Sequence, residues 1–167
     1  MDRATLRQMQ APLRERYAAD PSSAHTPLHA TADFRDEGVT CTVDGFAGPV
    51  RAGLHRATGG DGSDACSGDM LLEALLACAG VTLRSVATAM TLALGEVHGV
   101  AESSFDARGT LGLDREVPVG IGPVTLTFTV ATDADDAALE RLATSTERYC
   151  VVGASLREAP TVVVRRA

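Results

Sequence analysis

The chain has 167 residues, a hydrophobic fraction of 45% and a formal net charge of −7. A chain of this length is expected to fold as one domain whose core needs no disulfide bonds. The negative charge argues against nucleic acids and anionic membranes as partners. We find no signal-peptide pattern, so the four cysteines predict a reducing, cytoplasmic setting in which thiols serve chemistry or packing.

Residues 1–20 are predicted to form an amphipathic helix, because apolar side chains recur at steps of three or four. These side chains are Leu6, Met9, Leu13 and Tyr17. Pro12 is expected to kink or break the helix. We interpret residues 1–25 as a helical extension of a single domain that spans residues 1–167.

The next segment alternates apolar and polar residues in a way that is typical of strands. Strands are predicted at residues 27–33 and 39–43, with a hairpin turn at Phe34–Gly38, and a third strand within Phe46–His55. Cys41 lies in the second of these strands, where we interpret it as a small packing residue.

A glycine-rich stretch, Gly59 to Asp69, follows the strands. It lacks the Gly-Lys-Ser/Thr ending of a phosphate-binding loop and does not match the dinucleotide-binding pattern. We therefore interpret it as a flexible connection into the next helix. Cys66 or Ser67 is predicted near the N-cap of that helix, and Asp69 in the first turn complements the positive end of its dipole.

The stretch from Met70 to Leu94 is predicted to be one long helix. It is apolar almost all round, which indicates a buried helix, and Glu73 and Arg84 argue against a transmembrane span. One line of its surface carries Glu73, Ala77, Gly80 and Arg84. Small residues between two charged ones allow another helix to approach closely, so we expect a dimer with a shared core.

The second half of the chain predicts an antiparallel pair of strands, at residues 97–109 and 119–132. A helix from Ala134 to Cys150 follows, capped by Asp133 or Asp135, and Gly153 is interpreted as its stop. The last strand is TVVVRR, residues 161–166. This order of elements predicts an α+β fold with helices on one face of an antiparallel sheet.

Three cysteines compete for a chemical role. A cysteine inside a buried helix, such as Cys78, is usually an inert hydrophobic residue. Cys78 and Cys150 both lie on apolar faces of helices that share one core, so a disulfide between them is geometrically conceivable. Cys66 lies near a helix N-terminus, where the local field favours a thiolate, and it remains an open alternative.

The residues Asp69-x-x-x-Glu73-x-x-x-x-Cys78, followed later by Glu147-Arg148-Tyr149-Cys150, resemble the OsmC/Ohr family of osmotically inducible and organic hydroperoxide resistance proteins. The resemblance covers the chain from about Pro27 to its end. It implies an intertwined homodimer in which sheets wrap around a long central helix. It also implies thiol-dependent reduction of organic hydroperoxides in oxidative-stress defence, with active sites at the subunit interface.

The resemblance assigns roles to four residues. Cys78 would be the attacking thiol and Cys150 the resolving thiol, although Val151 stands where the family has a proline after the resolving cysteine. Asp69 lies near the position of the family's glutamate at the entrance to the helix. Arg35, in the turn Arg35-Asp36-Glu37-Gly38, would be the activating arginine, with Arg51 as second choice. The reductant would be a dithiol such as a lipoyl group, and no cofactor is implied.

A thiolate in an apolar site needs a cation or hydrogen-bond donors nearby. We expect the central helix to supply none facing Cys78, so the activating group is predicted to come from another element or another subunit. The predicted mechanism has Arg35, held by Asp69, lowering the pKa of Cys78. Two alternatives are an OsmC-fold binding protein without peroxidase turnover and, less favoured, a metal site of His55, Cys66 and Cys78.

Overall fold

The computed structural model describes residues 1–167. The chain forms five α-helices and six strands, joined in places by short 3-10 turns. In chain order the elements are α1 (Arg3–Ala19), β1 (Thr31–Asp33), β2 (Thr40–Gly45), β3 (Gly48–Gly53), α2 (Ser67–Met90), β4 (Val97–Glu102), α3 (Ala107–Thr110), β5 (Thr125–Val130), α4 (Asp136–Tyr149), α5 (Val151–Ala154) and β6 (Thr161–Arg166).

The first helix, α1, runs through Pro12 without a break and begins where the Asp2 carboxylate accepts the Thr5 N–H at 2.8 Å. Leu6 and Tyr17 are half-buried on the side that packs against α2. No residue of α1 is fully buried. The predicted amphipathic helix is therefore present, attached to the rest of the chain by a thin contact.

Strands β1, β2 and β3 form an antiparallel sheet of three strands. The hairpin turn predicted at Phe34–Gly38 joins β1 to β2, and Gly38 adopts a positive φ of 92° there. Little of this sheet is covered, and the side chain of Phe46 is fully exposed at the next hairpin. The sheet thus presents apolar side chains that one copy of the chain does not bury.

Helix α2 begins at Ser67, with Cys66 as the N-cap residue and Asp69 in the first turn, as predicted. The prediction that it reaches Leu94 is wrong, because the helix ends at Met90. Thr91 adopts the left-handed conformation, with φ 61°, and turns the chain away. The Leu92 N–H then closes the helix on the Ala87 carbonyl at 2.9 Å.

In one copy of the chain the burial predicted for α2 is only partial. Only one stripe is buried, at i, i+4, i+8 and i+12, and it consists of Leu75, Ala79, Leu83 and Ala87. The opposite side is open, with Val81 73% exposed. By length and composition α2 resembles a membrane span, but its buried stripe forms the centre of the hydrophobic core.

The second sheet consists of β4, β5 and β6. The buried stripe of α2 packs with the inner side chains of this sheet and with α4, and the cluster includes Leu126, Phe128, Val130, Val162, Leu139 and Leu142. Strands β4 and β5 pair antiparallel as predicted. The expectation of a wholly antiparallel sheet is wrong, because β6 pairs parallel to β5. Helices α4 and α5 form the crossover that a parallel connection requires.

Two short helices were not predicted. Residues of α3 lie in what the sequence predicted as the end of a strand, and Asp106 caps them by accepting the Arg108 N–H at 2.9 Å. Helix α4 is capped by Asp135, one of the two predicted caps, but it ends at Tyr149. Gly153, predicted as its stop, lies inside the separate helix α5.

Candidate active site

Cys78 and Cys150 lie together where α5 packs against the middle of α2. Cys78 is half-buried on α2, whereas Cys150 is 1% exposed and belongs to the core cluster. Cys150 occupies the junction between α4 and α5, as C-cap of the first and N-cap of the second. The chain thus brings together two free thiols of different exposure that influence each other's pKa.

The environment of Cys78 favours its thiolate. Burial alone raises the pKa, but hydrogen bonding from the Val152 N–H, the Cys150 thiol, the Val151 N–H and the Thr82 hydroxyl outweighs it, so the pKa is lowered overall. The Thr82 hydroxyl also reaches the Cys78 carbonyl oxygen, at 2.9 Å. These principal groups are uncharged, so the local stabilisation of the thiolate comes from donors rather than from a cation.

Cys150 has the opposite tendency. Burial raises its pKa, and its interaction with Cys78 raises it further, against a lowering effect of the Gly153 N–H. That N–H donates to the Cys150 sulfur at 3.3 Å. The pair therefore consists of one thiol whose pKa is lowered and one whose pKa is raised.

The two other predicted site residues lie apart from each other in one chain. Arg35 pairs with Asp33 at 2.6 Å, and its side chain is 83% exposed in the hairpin turn. Asp69 is exposed in the first turn of α2. The expected contact between Arg35 and Asp69 is thus absent within a single copy, and any such contact would have to form between two copies.

Arg51, the second choice for the activating arginine, is held more firmly. Its guanidinium pairs with Asp64 at 2.5 Å, and the carboxylate side chain is only 16% exposed. Asp64 lies just before Cys66 in the connection to α2, and Cys66 itself makes no capping hydrogen bond through its side chain. Arg51 is thus oriented near the start of α2.

The remaining candidates have local structural contacts. The Nδ1 atom of His55 accepts the Ala57 N–H at 3.0 Å, and its ring packs edge-on against Phe105 with centroids 5.3 Å apart. His55, Cys66 and Cys78 do not gather into a group that could hold a metal ion. Cys41 is half-buried on β2.

A groove of about 830 Å³ begins where α5 ends. Leu156, three residues beyond Gly153, lines the groove. The N–H of Leu156 donates to the Gly153 carbonyl at 3.2 Å. Phe105 and Ile121 line the opposite side. The groove thus lies just beyond the C-terminal end of α5, and neither cysteine of the pair lines it.

The sequence analysis missed the donors that act on Cys78. Thr82 lies one helical turn beyond Cys78, so the i, i+4 relationship could have identified it. The N–H groups of Val151 and Val152 could not be identified in this way, because Gly153 was interpreted as a helix stop and α5 was not expected. Of these groups Thr82 alone lies on α2; it contributes to the lowered pKa of Cys78, whereas the hydrogen bond of its hydroxyl goes to the Cys78 carbonyl oxygen, at 2.9 Å.

A family model described as OsmC-like protein matches residues 60–165. This range contains α2, both cysteines of the pair and the second sheet except for the last residue of β6. No match was found among curated proteins. The match covers more than half of the chain, which is enough to assign the chain to a family.

Solved structures of low sequence identity share the fold. One is an organic hydroperoxide resistance protein OsmC from Legionella pneumophila, at 16% identity and TM-score 0.60, with 86% of this chain and 99% of that chain covered. Another is the organic hydroperoxide resistance protein OhrB of Bacillus subtilis, at 17% identity and TM-score 0.56, covering 84% and 98%. A third is an OsmC-like protein of unknown function from Vibrio cholerae, at 12% identity and TM-score 0.66, covering 86% and 100%. Together with the family match, these likenesses establish that the chain belongs to the OsmC-like protein family.

Proposed function

We propose that the protein is a thiol-dependent peroxidase that reduces organic hydroperoxides through Cys78 and Cys150. The observation that carries this proposal is that Cys78 and Cys150 are neighbours where α5 packs against α2, with the pKa of Cys78 lowered and that of Cys150 raised. A thiol of lowered pKa beside a thiol of raised pKa suits the attacking and resolving roles of a two-cysteine peroxidase. Two relatives of the same fold are described as organic hydroperoxide resistance proteins.

In the first step the Cys78 thiolate attacks the distal oxygen of the hydroperoxide. The O–O bond breaks, the sulfur becomes a sulfenic acid, and the departing alkoxide takes up a proton and leaves as the alcohol. The Val152 N–H, which lowers the pKa of Cys78, favours the thiolate before the attack. Two electrons pass from sulfur to the peroxide.

In the second step Cys150 attacks the sulfur of the Cys78 sulfenic acid. The S–S bond forms, the hydroxyl leaves with the Cys150 proton as water, and the site is then a disulfide. An external dithiol, such as a lipoyl group, attacks the disulfide, returns two electrons and restores both thiols. This dithiol is a co-substrate, and the cycle requires no bound cofactor.

The active site is proposed to be completed by a second copy of the chain. The N-terminal sheet and the open side of α2 expose apolar side chains, among them Val81, which one copy leaves uncovered. A homodimer would bury these surfaces and could bring a guanidinium to Cys78. Arg35 beside Asp69 is the proposed arrangement, with Arg51 as the alternative because Asp64 already orients it.

The proposed setting is the cytoplasm, where reducing conditions would keep the four free thiols available. Organic hydroperoxides produced during oxidative stress are the proposed substrates. The partners are thus a second copy of the chain, a small hydroperoxide and a thiol reductant, without nucleic acid or membrane.

An alternative function is the binding of a small apolar molecule without turnover. It is favoured by one observation, which is that Arg35 is 83% exposed and pairs with Asp33 rather than with Asp69. In this alternative the groove beside α5, with Leu156 and Phe105 in its walls, would hold the ligand.

The test is steady-state reduction of cumene hydroperoxide with dithiothreitol or dihydrolipoamide as reductant. Cys78→Ser is expected to lower the rate by more than about 100-fold, because the thiolate is the nucleophile. Cys41→Ser and Cys66→Ser are matched controls that remove a thiol outside the pair, and they should retain the wild-type rate. Full turnover by Cys78→Ser, or turnover lost instead in Cys66→Ser, would refute the proposal; no turnover with tight binding of the hydroperoxide would support the alternative.

A further inference from the structure

Gly153 occupies an unusual position for a glycine. It is buried inside α5, and its backbone has none of the positive φ values that favour glycine. Glycine in an ordinary helical conformation is less favourable than alanine by about 1 kcal/mol. The backbone therefore does not explain why this residue lacks a side chain.

The space around Gly153 does explain it. A Cβ atom there would lie 3.2 Å from Cγ of Pro160 and 3.4 Å from the Cys150 sulfur. Pro160 is fully buried just before β6, so it has little room to move. An alanine methyl group at position 153 would therefore crowd the Pro160 ring and lie in van der Waals contact with the Cys150 sulfur.

The backbone of Gly153 acts on the same sulfur. Its N–H donates to Cys150 Sγ at 3.3 Å. The Cys150 sulfur thus accepts a hydrogen bond from Gly153. The missing side chain of Gly153 also leaves space beside this sulfur and the Pro160 ring. On its other side it meets Cys78.

We propose that Gly153 is a positioning residue that holds the Cys150 sulfur in place to attack Cys78 once Cys78 is oxidised. This inference rests on the proposed function, because it concerns the disulfide-forming half of that cycle. In that half-reaction Cys150 gives up its proton and its sulfur displaces a leaving group from the sulfur of Cys78. The Gly153 N–H stabilises the sulfur as the proton leaves.

The test uses a disulfide reagent instead of a peroxide, so that it does not depend on peroxidase activity. In a Cys41→Ser/Cys66→Ser background, the Cys78 thiolate attacks 5,5′-dithiobis(2-nitrobenzoate), forms a mixed disulfide and releases one thionitrobenzoate anion. Cys150 then attacks the Cys78 sulfur, forms the internal disulfide and releases a second anion. The first phase depends on reagent concentration and the second does not, so stopped-flow absorbance separates them.

In Gly153→Ala the rate of the first phase is expected to stay within about twofold of the parent, and the rate of the second phase to fall by more than about tenfold. A small displacement of a positioned reactant slows its reaction strongly. Gly120→Ala is the matched control, since no atom lies within 4 Å of a Cβ added there. It should change neither phase. An unchanged second phase in Gly153→Ala would overturn the inference, whatever the peroxidase assay gives.

The double variant Gly153→Ala/Pro160→Ala covers the case in which the single variant does not fold. Removing the Pro160 ring makes room for the new methyl group, so the second phase should return to within about threefold of the parent if crowding of the sulfur is the cause. A folded double variant that remains more than about tenfold slow would contradict that cause. Loss of hydroperoxide reduction in the parent with both thionitrobenzoate phases intact would refute the proposed function alone.

Discussion

The backbone N–H of Val152, at the start of α5, stabilises the thiolate of Cys78 on α2. A cysteine in the middle of a core helix would otherwise be an inert thiol with a raised pKa. The contact depends on tertiary structure, since α5 follows α4 in the chain and packs against α2 in the fold. Reactivity at Cys78 is therefore tied to the correct packing of α5.

The first prediction concerns the pH dependence of Cys78 alkylation. Because the pKa of Cys78 is lowered, the rate of reaction with iodoacetamide should be half-maximal below the value for a free thiol, about 8.5. The rate should fall only when the pH drops through that lowered pKa. Cys150, whose pKa is raised, should require a higher pH. Peptide mass spectrometry at each pH measures both.

Cys150→Ala removes one of the donors to Cys78 and should move the midpoint of Cys78 alkylation to higher pH. Cys66→Ala is the control, and its midpoint for Cys78 should match the wild type. Identical midpoints in wild type and Cys150→Ala would show that the thiol of Cys150 does not influence Cys78.

The second prediction concerns the proposed homodimer. Glu73 and Arg84 are exposed at either end of the line through Ala77 and Gly80. In an antiparallel pair of α2 helices each Glu73 would meet the other copy's Arg84. Glu73→Arg should weaken the dimer through like-charge repulsion, and Glu73→Arg/Arg84→Glu should restore it. Sedimentation equilibrium measures the mass; equal dissociation constants for all three proteins would contradict this arrangement.

The third prediction concerns α1. This helix contains no fully buried residue and contacts the rest of the chain through α2. A chain lacking residues 1–25 is therefore expected to keep a cooperative unfolding transition and the lowered pKa of Cys78. Circular dichroism and the alkylation profile check this. An unfolded product would show that the extension is part of the folding unit.

The fourth prediction concerns the strained C-cap of α2. Thr91 has φ 61°, a conformation that costs a residue with a side chain about 1–2 kcal/mol and that glycine adopts freely. Thr91→Gly should raise the melting temperature by about 2–4 °C. Thr110→Gly, where φ is not positive, is the matched substitution and should not stabilise. A lower melting temperature for Thr91→Gly would show that the threonine side chain outweighs the strain.

Several features of the fold could be predicted from local patterns. The apolar run that became α2, the alternation of β5 and the TVVVRR strand are signals that a sequence carries directly. The bounds of α2 and of the last strand agree with the structure to within a few residues, whereas β5 is shorter than the strand predicted at residues 119–132. The cap at Asp135 was equally local. Periodicity and capping depend on neighbouring residues, which explains why they could be identified.

Other features depend on contacts between distant residues. Strand β6 pairs parallel to β5, and one side of α2 is exposed in one copy of the chain. Both features depend on how distant elements pack, and a residue pattern within a single element does not contain that information. The early end of α2 reflects the positive φ of Thr91, which the type of residue there disfavours. Cys78 and Cys150 were named from a resemblance, whereas the donors of α5 required the structure.

The most direct test of the central claim is mass spectrometry of the protein after one equivalent of cumene hydroperoxide, with non-reducing peptide mapping. We expect Cys78 and Cys150 to be joined in an internal disulfide. In Cys150→Ser we expect a sulfenic acid to accumulate at Cys78, where dimedone traps it. A protein in which Cys78 stays reduced, or in which Cys66 or Cys41 is oxidised instead, would contradict it.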